Sequence, residues 1–337
     1  KGRLTLRDVQ LRSELETALT QKAELDRRLR EVEALIVEEA RRLEEKKAES
    51  ARANELRQRL VDELAQCKER RSAMGSRREL LQDLQSKMDG VGAGVRKLLD
   101  ARQRSPESPA LRSIAGLVGQ LIDADVQHAS VIEAALGESD QCLVVGEGEA
   151  FLAASDLLGS LPGRMTVLFE DRLPPLVNSP AFPKQPGFVA CAVDLVRFAD
   201  EHRHLVRHLL GKTIVVEALA DAMRMSRADV EGHRFVTLRG EVLEPDGRVR
   251  LGPAASAAGL ISRKSELRDI DVQIVELDER ITTLADQLNR TQAEVSHLDG
   301  VQQELRAAIY ESNTAKVEAS AALQNIAETV QRLTHEQ

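Results

Sequence analysis

The chain has 337 residues, 42% hydrophobic and 30% charged, with six Phe, one Tyr and no Trp. So few aromatics read as long helices around a modest core. A formal net charge of −8 excludes a general basic coat, so any nucleic-acid contact has to be a local patch. Three cysteines without metal spacing suit a reducing, cytoplasmic compartment. No signal peptide is visible, and no apolar run reaches the ~18 residues of a membrane span.

Residues 1–89 read as a coiled-coil arm. Leu11, Leu15, Ala18, Leu25, Leu29, Val32, Ile36 and Leu43 recur at alternating steps of three and four, broken by Lys22 and Glu39. Past Leu43 the frame weakens. Ala53, Leu60, Leu64, Cys67, Met74, Leu81 and Met88 alternate with Lys46, Ser50, Arg57, Arg71 and Arg78. Gly75 costs ~1 kcal/mol relative to Ala in a helix, so local loosening is expected there.

Residues 90–259 read as a compact α/β (α+β) insert that holds every Phe. Within it the chain repeats itself. Leu136-Gly137 leads to Val144-Val145, a helical stretch and Gly163 to Leu168; Leu210-Gly211 leads to Val215-Val216, a helical stretch and His233 to Leu238. The copies lie roughly 70 residues apart, the mark of a duplicated unit. The expected division is 90–165 and 166–259. Helices are predicted over 94–101, 126–136, 149–158, 201–210 and 218–226, and strands over 141–145, 164–169, 188–193, 213–216 and 233–238. Pro245-Asp246-Gly247 closes a hairpin over 241–251, and Pro174-Pro175 with Pro180 to Pro186 marks the loop between copies.

Residues 260–337 form a cleaner second arm. Leu267, Ile270, Ile274, Leu277, Ile281, Leu284, Leu288, Val295, Leu298, Leu305, Ile309, Ala319, Leu323, Ile326, Val330 and Leu333 hold one frame, with Thr291, Gln302, Ser312 and Lys316 as lapses. A seam so apolar requires a partner. Two arms of nearly equal length around one folded insert favour an antiparallel pair within the chain over parallel pairing between chains. The frame runs from Lys1 in mid-heptad to Gln337, so a longer parent protein is expected.

Candidate sites are sparse. Gly211-Lys212-Thr213 resembles the end of a phosphate loop, but Val206 stands where that loop needs Gly, and a helix precedes where a strand should; a helix cap at Gly211 is expected instead. Gly90, Gly92 and Gly94 suit a flexible junction between arm and domain. His202, His204 and His208 lack a completing carboxylate or Cys and read as a solvated face. No catalytic constellation is visible, and no cofactor or metal is expected. Arg96, Lys97, Arg102 and Arg104 after the first arm, with Arg263 and Lys264 at the start of the second, would converge if the arms emerge together. They are either a phosphate-contacting cluster or solvated charges beside acidic arms.

Several motifs, in order, carry a resemblance. They are Gly90-Val91-Gly92-Ala93-Gly94-Val95-Arg96-Lys97-Leu98-Leu99, Gly116-Leu117-Val118-Gly119-Gln120-Leu121-Ile122, Ile132-Glu133-Ala134-Ala135-Leu136-Gly137, His208-Leu209-Leu210-Gly211-Lys212-Thr213, Phe235-Val236-Thr237-Leu238-Arg239-Gly240 and Ser262-Arg263-Lys264-Ser265-Glu266-Leu267. Flanked by heptad arms, they resemble the hinge of bacterial-type, condensin-like SMC (structural maintenance of chromosomes) proteins. Two departures stand out: Arg250-Leu251-Gly252-Pro253 replaces the family's paired glycines, and His128 stands where an aromatic is common. The resemblance implies a homodimer in which one half of each hinge meets the other half of its partner. The matching positions are Cys142, Leu143, Val144 and Val145 and the closing hairpin with Gly240, Arg250, Leu251 and Gly252. It also implies DNA contact where arms meet domain, a nucleoid-associated role in chromosome condensation and segregation, and ATP and Mg with accessory subunits only at head domains outside this chain. The alternative is a coiled-coil scaffold whose dimer module has no DNA role.

Overall fold

The computed structural model describes residues 2–88, 90–176, 182–229, 232–252 and 259–336. The Pro180 end of the expected inter-copy loop and Pro253 lie outside them. In chain order the elements are α1 (Gly2–Ser86), α2 (Ala93–Arg104), α3 (Pro109–Arg112), β1 (Ile114–Leu117), α4 (Val118–Leu121), β2 (Asp123–Ala124), α5 (Val126–Leu136), β3 (Leu143–Val145), α6 (Gly148–Leu152), α7 (Ser155–Gly159) and β4 (Val167–Phe169). They continue with β5 (Phe188–Cys191), β6 (Val196–Arg197), α8 (Arg203–Leu210), β7 (Thr213–Val216), α9 (Leu219–Ser226), β8 (Arg234–Thr237), β9 (Val242–Leu243), β10 (Val249–Arg250) and α10 (Leu260–Glu336).

The chain forms two compact units, one from 1–69 with 278–337 and one from 70–277. In the first, α1 and α10 run antiparallel, as the apolar frames predict. Lys316 pairs with Glu33 at 3.0 Å, Ser312 donates to Glu39 at 3.2 Å, Ser50 to Asp299 at 3.4 Å, and Arg280 to Glu63 at 3.1 Å. Leu11, Ala18, Leu43, Ala53 and Leu60 are buried on α1, as are Leu284, Val295, Leu298, Ala319 and Leu333 on α10. The polar lapses are buried too, at Ser50, Thr291, Gln302 and Ser312. Polar groups set into an apolar seam fix the register, because a slipped pairing would leave them without partners.

The second unit holds the duplicated domain and the adjoining stretches of both long helices. There Leu81 packs with Leu267, Ile270 and Ile274, and Arg77 pairs with Glu266 at 2.7 Å. The first copy is a three-stranded sheet in the order β1-β3-β4; the second has five strands, β10-β9-β8-β7-β5. The copies are built alike. β1 lies antiparallel to β3 and β5 antiparallel to β7, each with a register irregularity, at Ile114/Gly116 and at Phe188/Ala190. β3 then pairs parallel with β4, and β7 with β8, across helical crossovers. A two-stranded ladder of β2 and β6 joins the copies, setting Asp123 opposite Arg197.

Alternation on the strands divides the core. Val144, Val215, Val236 and Val242 face a central cluster with Ile132, Leu136, Leu205, Val206 and Leu210, which both copies share. Leu143 and Val145 face an outer cluster with Leu98, Leu117 and Phe151. Ile214, Val216, Phe235 and Leu243 face another with Met225 and Ala222. A period of two allows one short strand to serve two cores.

The structure corrects three readings. A division between 165 and 166 would strand β4 with the second copy, whereas it pairs with β3, so the first sheet extends through Phe169. The helix expected over 149–158 is two short helices, α6 and α7, separated near Ala153 and Ala154. Gly94 is not part of a loose junction: it is buried in α2, where a Cβ would come within 3.0 Å of the Pro162 carbonyl.

Candidate self-association edges and basic cleft

The two larger sheets end at β1 and β4 and at β5 and β10, and β4 and β10 are the ends at which the two copies differ. β4 pairs only with β3, and its three side chains are half-buried. In the second copy the equivalent strand, β8, is covered by β9 and then β10. The hairpin that closes one sheet therefore has no counterpart on the other. β10 is exposed along its length and pairs only with β9. Leu238 and Val249 present apolar surface nearby, and Leu251, just beyond β10, is 67% exposed. Unpaired edges with apolar neighbours are templates for adding a strand.

This geometry sorts the expected interface residues. Cys142, Leu143, Val144 and Val145 do not form an edge. β3 is the central strand of its sheet and Leu143 to Val145 are fully buried, so no second chain can reach them. Arg250, Leu251 and Gly252 are exposed as expected, and Gly240 is half-buried in the turn after β8 at φ +83°. The feature missed from sequence is the β4 edge. Its signal was available: the repeat aligns Val167-Leu168 with the start of a hairpin that the first copy lacks.

The basic residues also part company. Arg263 is buried, with only 7% exposed, at the root of α10 beside Gly90. Lys264 donates to the Gln120 carbonyl at 2.7 Å and pairs with Asp123 at 2.6 Å, where Arg268 also lies at 2.7 Å. Burial pushes the Asp123 carboxyl up, but these two cations outweigh it and leave it below its ordinary value. Lys97 is exposed yet reaches the Ser160 carbonyl at 2.8 Å. Arg96 and Arg104 are exposed.

Arg102 lies in an open cleft of about 510 Å³ together with Met88, Leu99, Gln103, Pro106, Arg112 and Gln120. Its Nη1 donates to the Ala115 carbonyl at 3.2 Å, while Gln120 Oε1 accepts the Leu117 amide at 3.2 Å. The backbone of β1 thus holds two polar walls in place. Arg112, not singled out from sequence, adds a second, exposed guanidinium. A neighbouring hollow shares Met88 and Gln120 and is lined by Arg263 and Lys264. Of the six basic residues expected to converge, Arg102 lines one hollow and Arg263 and Lys264 the next, while Arg96, Lys97 and Arg104 line neither; Arg112 joins Arg102 at the accessible face.

The three histidines do not form a solvated face. His202 is buried with Nδ1 2.9 Å from Glu170 Oε1, His204 Nε2 is 2.9 Å from the Pro174 carbonyl, and only His208 is exposed. Among the described residues no group of three or more His, Cys, Asp or Glu could hold a metal ion. Gly211 follows α8 and its amide donates to the Arg207 carbonyl at 2.8 Å, the geometry of a helix end. Among the described residues no helix is long and apolar enough to cross a membrane.

Residues 111–226 match the family model described as the SMC proteins flexible hinge domain. The chain is 31% identical to the chromosome partition protein Smc of Rhodopirellula baltica over 228 residues, which are 65% of this chain and 19% of that protein. The namesake from Bacillus subtilis is 28% identical over 62% of this chain and 18% of its own length. The chain spans about a fifth of the length of these curated relatives. Among solved structures, an asymmetric dimer of the Geobacillus stearothermophilus SMC hinge domain superposes with a TM-score of 0.61 at 29% identity, over 73% of this chain and 99% of that one. The twice-built domain, the long helices entering and leaving it and these likenesses place the chain in the SMC family, as a hinge with coiled-coil arms.

Proposed function

We propose that this hinge joins two copies of its own chain, the β4 edge of one against the β10 edge of the other, and so sets where the arms leave the pair. The carrying observation is the asymmetry of the duplication: one sheet ends open at β4 where the other ends in a hairpin. Each copy then offers one donor edge and one acceptor edge. A twofold axis satisfies both at once and closes the assembly. That a hinge domain of known structure similar to this chain is itself a dimer supports self-association.

The relatives' name, chromosome partition protein, supports a cytoplasmic, nucleoid-associated role in chromosome condensation and segregation. The hinge would be the joint of a longer ATP-driven protein, with nucleotide, Mg and accessory subunits at head domains and no hydrolysis at the hinge. A second reading has an observation of its own. The shared cleft of Arg102 and Arg112 favours sequence-independent DNA contact over a scaffold with no DNA role.

Sedimentation equilibrium tests the joining. The chain is expected to be dimeric at micromolar concentration, and Leu251→Glu, which places a charge beside the β10 edge, is expected to shift it towards monomer. A parent chain that stays monomeric at tens of micromolar would overturn the reading.

A further inference from the structure

An unbroken series of polar contacts ties the free hairpin edge to the other copy. Arg250 on β10 pairs with Glu244 Oε1. The second oxygen of Glu244 accepts from Arg234 Nε on β8 at 2.9 Å, and Arg234 Nη1 donates to the Ala135 carbonyl at 2.7 Å, in the last turn of α5. The side chain of Glu244 is 11% exposed and that of Arg250 52%, so a sheltered carboxylate holds a surface guanidinium. That guanidinium also lies over Gly137, the residue that ends α5. A Cβ there would come within 2.7 Å of Arg250 Nη1, and its φ of +54° suits glycine.

The charges are ordered to suit one another. The last carbonyls of α5 carry partial negative charge. Two guanidiniums sit at that end with one carboxylate bridging them. Burial pushes the Glu244 carboxyl up, but Arg234 and Arg250 outweigh it and keep it below its ordinary value, so it is ionised at neutral pH. The ladder itself is slight: β9 and β10 pair Val249 with Leu243 and Arg250 with Val242, and beyond them the Glu244 amide donates to the Arg248 carbonyl at 2.8 Å to close the turn. Two pairs do not hold a hairpin at a fixed angle in water.

We propose that Glu244 is a positioning residue for self-association: it fixes Arg250, and through it the β10 edge, against the end of α5, so that a second copy meets a strand already in place. The inference rests on the reciprocal pairing proposed above. A preformed edge avoids the ordering cost that a loose two-residue strand would add to association.

The test uses the whole chain with Glu244→Gln, Arg250→Gln and the double variant, read by sedimentation equilibrium and by hydrogen exchange at Phe235 and Val236 on β8. Each single substitution is expected to weaken the dimer about tenfold, the worth of one charge-assisted hydrogen bond. The double is expected to do no more than the weaker-binding single, because both remove the same link, and β8 protection is expected to be unchanged. A dimeric parent with both singles at the parental Kd, or additive losses in the double, would overturn the role of Glu244 and leave the pairing intact. Loss of β8 protection in step with Kd would overturn it as well, since a general unfolding of the sheet then explains the effect. A monomeric parent would sink the pairing and this inference together.

Discussion

Ser262 sets both its amide and its hydroxyl on the Glu133 carboxylate, at 2.7 Å each. Glu133 sits near the end of α5, and Ser262 is in the first turn of α10, where backbone amides have no helical partner. A side chain from another helix therefore does what a local cap usually does. The arrangement requires Gly259, where a Cβ would collide with the same carboxylate. Ile261 joins the central core beside it, and Ser265 donates to the Ala124 carbonyl at 2.8 Å. The first turns of α10 are thus anchored in the domain.

Glu133→Ala should therefore cost ~1 kcal/mol of stability, the usual worth of a helix cap, with Glu133→Gln costing less because it still accepts. Urea denaturation measures the first figure. Hydrogen exchange localises it: protection should fall at the first turn of α10 and hold in β7 and β8. Uniform loss across the domain would show that the contact is not a cap.

Asp140 lies close by and works against stability at neutral pH. It is buried, and desolvation first, then the charge of Glu133, push its carboxyl from 3.8 to about 6, with Arg263 and the Gln141 amide only partly offsetting them. Because the folded value is raised, the stability linked to its proton is complete below pH 3.8 and is lost as the pH climbs through about 6. Asp140→Asn should thus match the parent near pH 4 and exceed it by on the order of 2 kcal/mol at pH 7. Thermal melts of both proteins across that range decide it; a gap that does not widen with pH would place the cause elsewhere.

How far sequence reaches is visible in particular residues. The arms were legible because their apolar frames alternate strictly, and even the lapses were informative: Glu39 and Ser312 break the two frames and meet each other. The repeat was legible from Val144-Val145 and Val215-Val216. β1 was not, because Ile114-Ala115-Gly116-Leu117 is too short to show alternation and runs straight into α4. Nor does a strand's composition say whether it is central or at an edge, so nothing in Leu143-Val144-Val145 itself checks the interface position that the resemblance implies for Val144, a position its burial rules out. Arg263 misled for a related reason. A charge in a sequence reads as surface, yet its seat beside Asp140 and Gly90 is set by packing between segments far apart in the chain.

Gly75 was expected to loosen its arm, and the structure keeps α1 helical through it. Nothing lies within 4 Å of the place a Cβ would occupy. Gly75→Ala should then add up to ~1 kcal/mol, by restricting the unfolded chain and supplying a better helix former. A rise in Tm without any change in dimer Kd is the expected result. Destabilisation would mean that the position needs glycine for a contact the single chain does not make.

The basic cleft calls for a different measurement, because affinity alone does not separate phosphate contact from general charge. With so few aromatics, contact should run through phosphates, each neutralised phosphate releasing counterions. Arg102→Glu with Arg112→Glu should weaken binding of random-sequence DNA and lower the slope of log affinity against log salt by roughly 2. Arg96→Glu, on the exposed face of α2, should add about one more to that change if the patch extends along the helix. Arg263 is left untouched, since reversing a buried charge at the root of α10 would unfold the anchor and mimic the result. Fluorescence anisotropy from low to moderate salt reads both quantities. If affinity falls with no change in slope, the two guanidiniums act on the fold of the cleft and not on phosphate; if neither moves, the scaffold reading holds and the hinge joins chains without touching DNA.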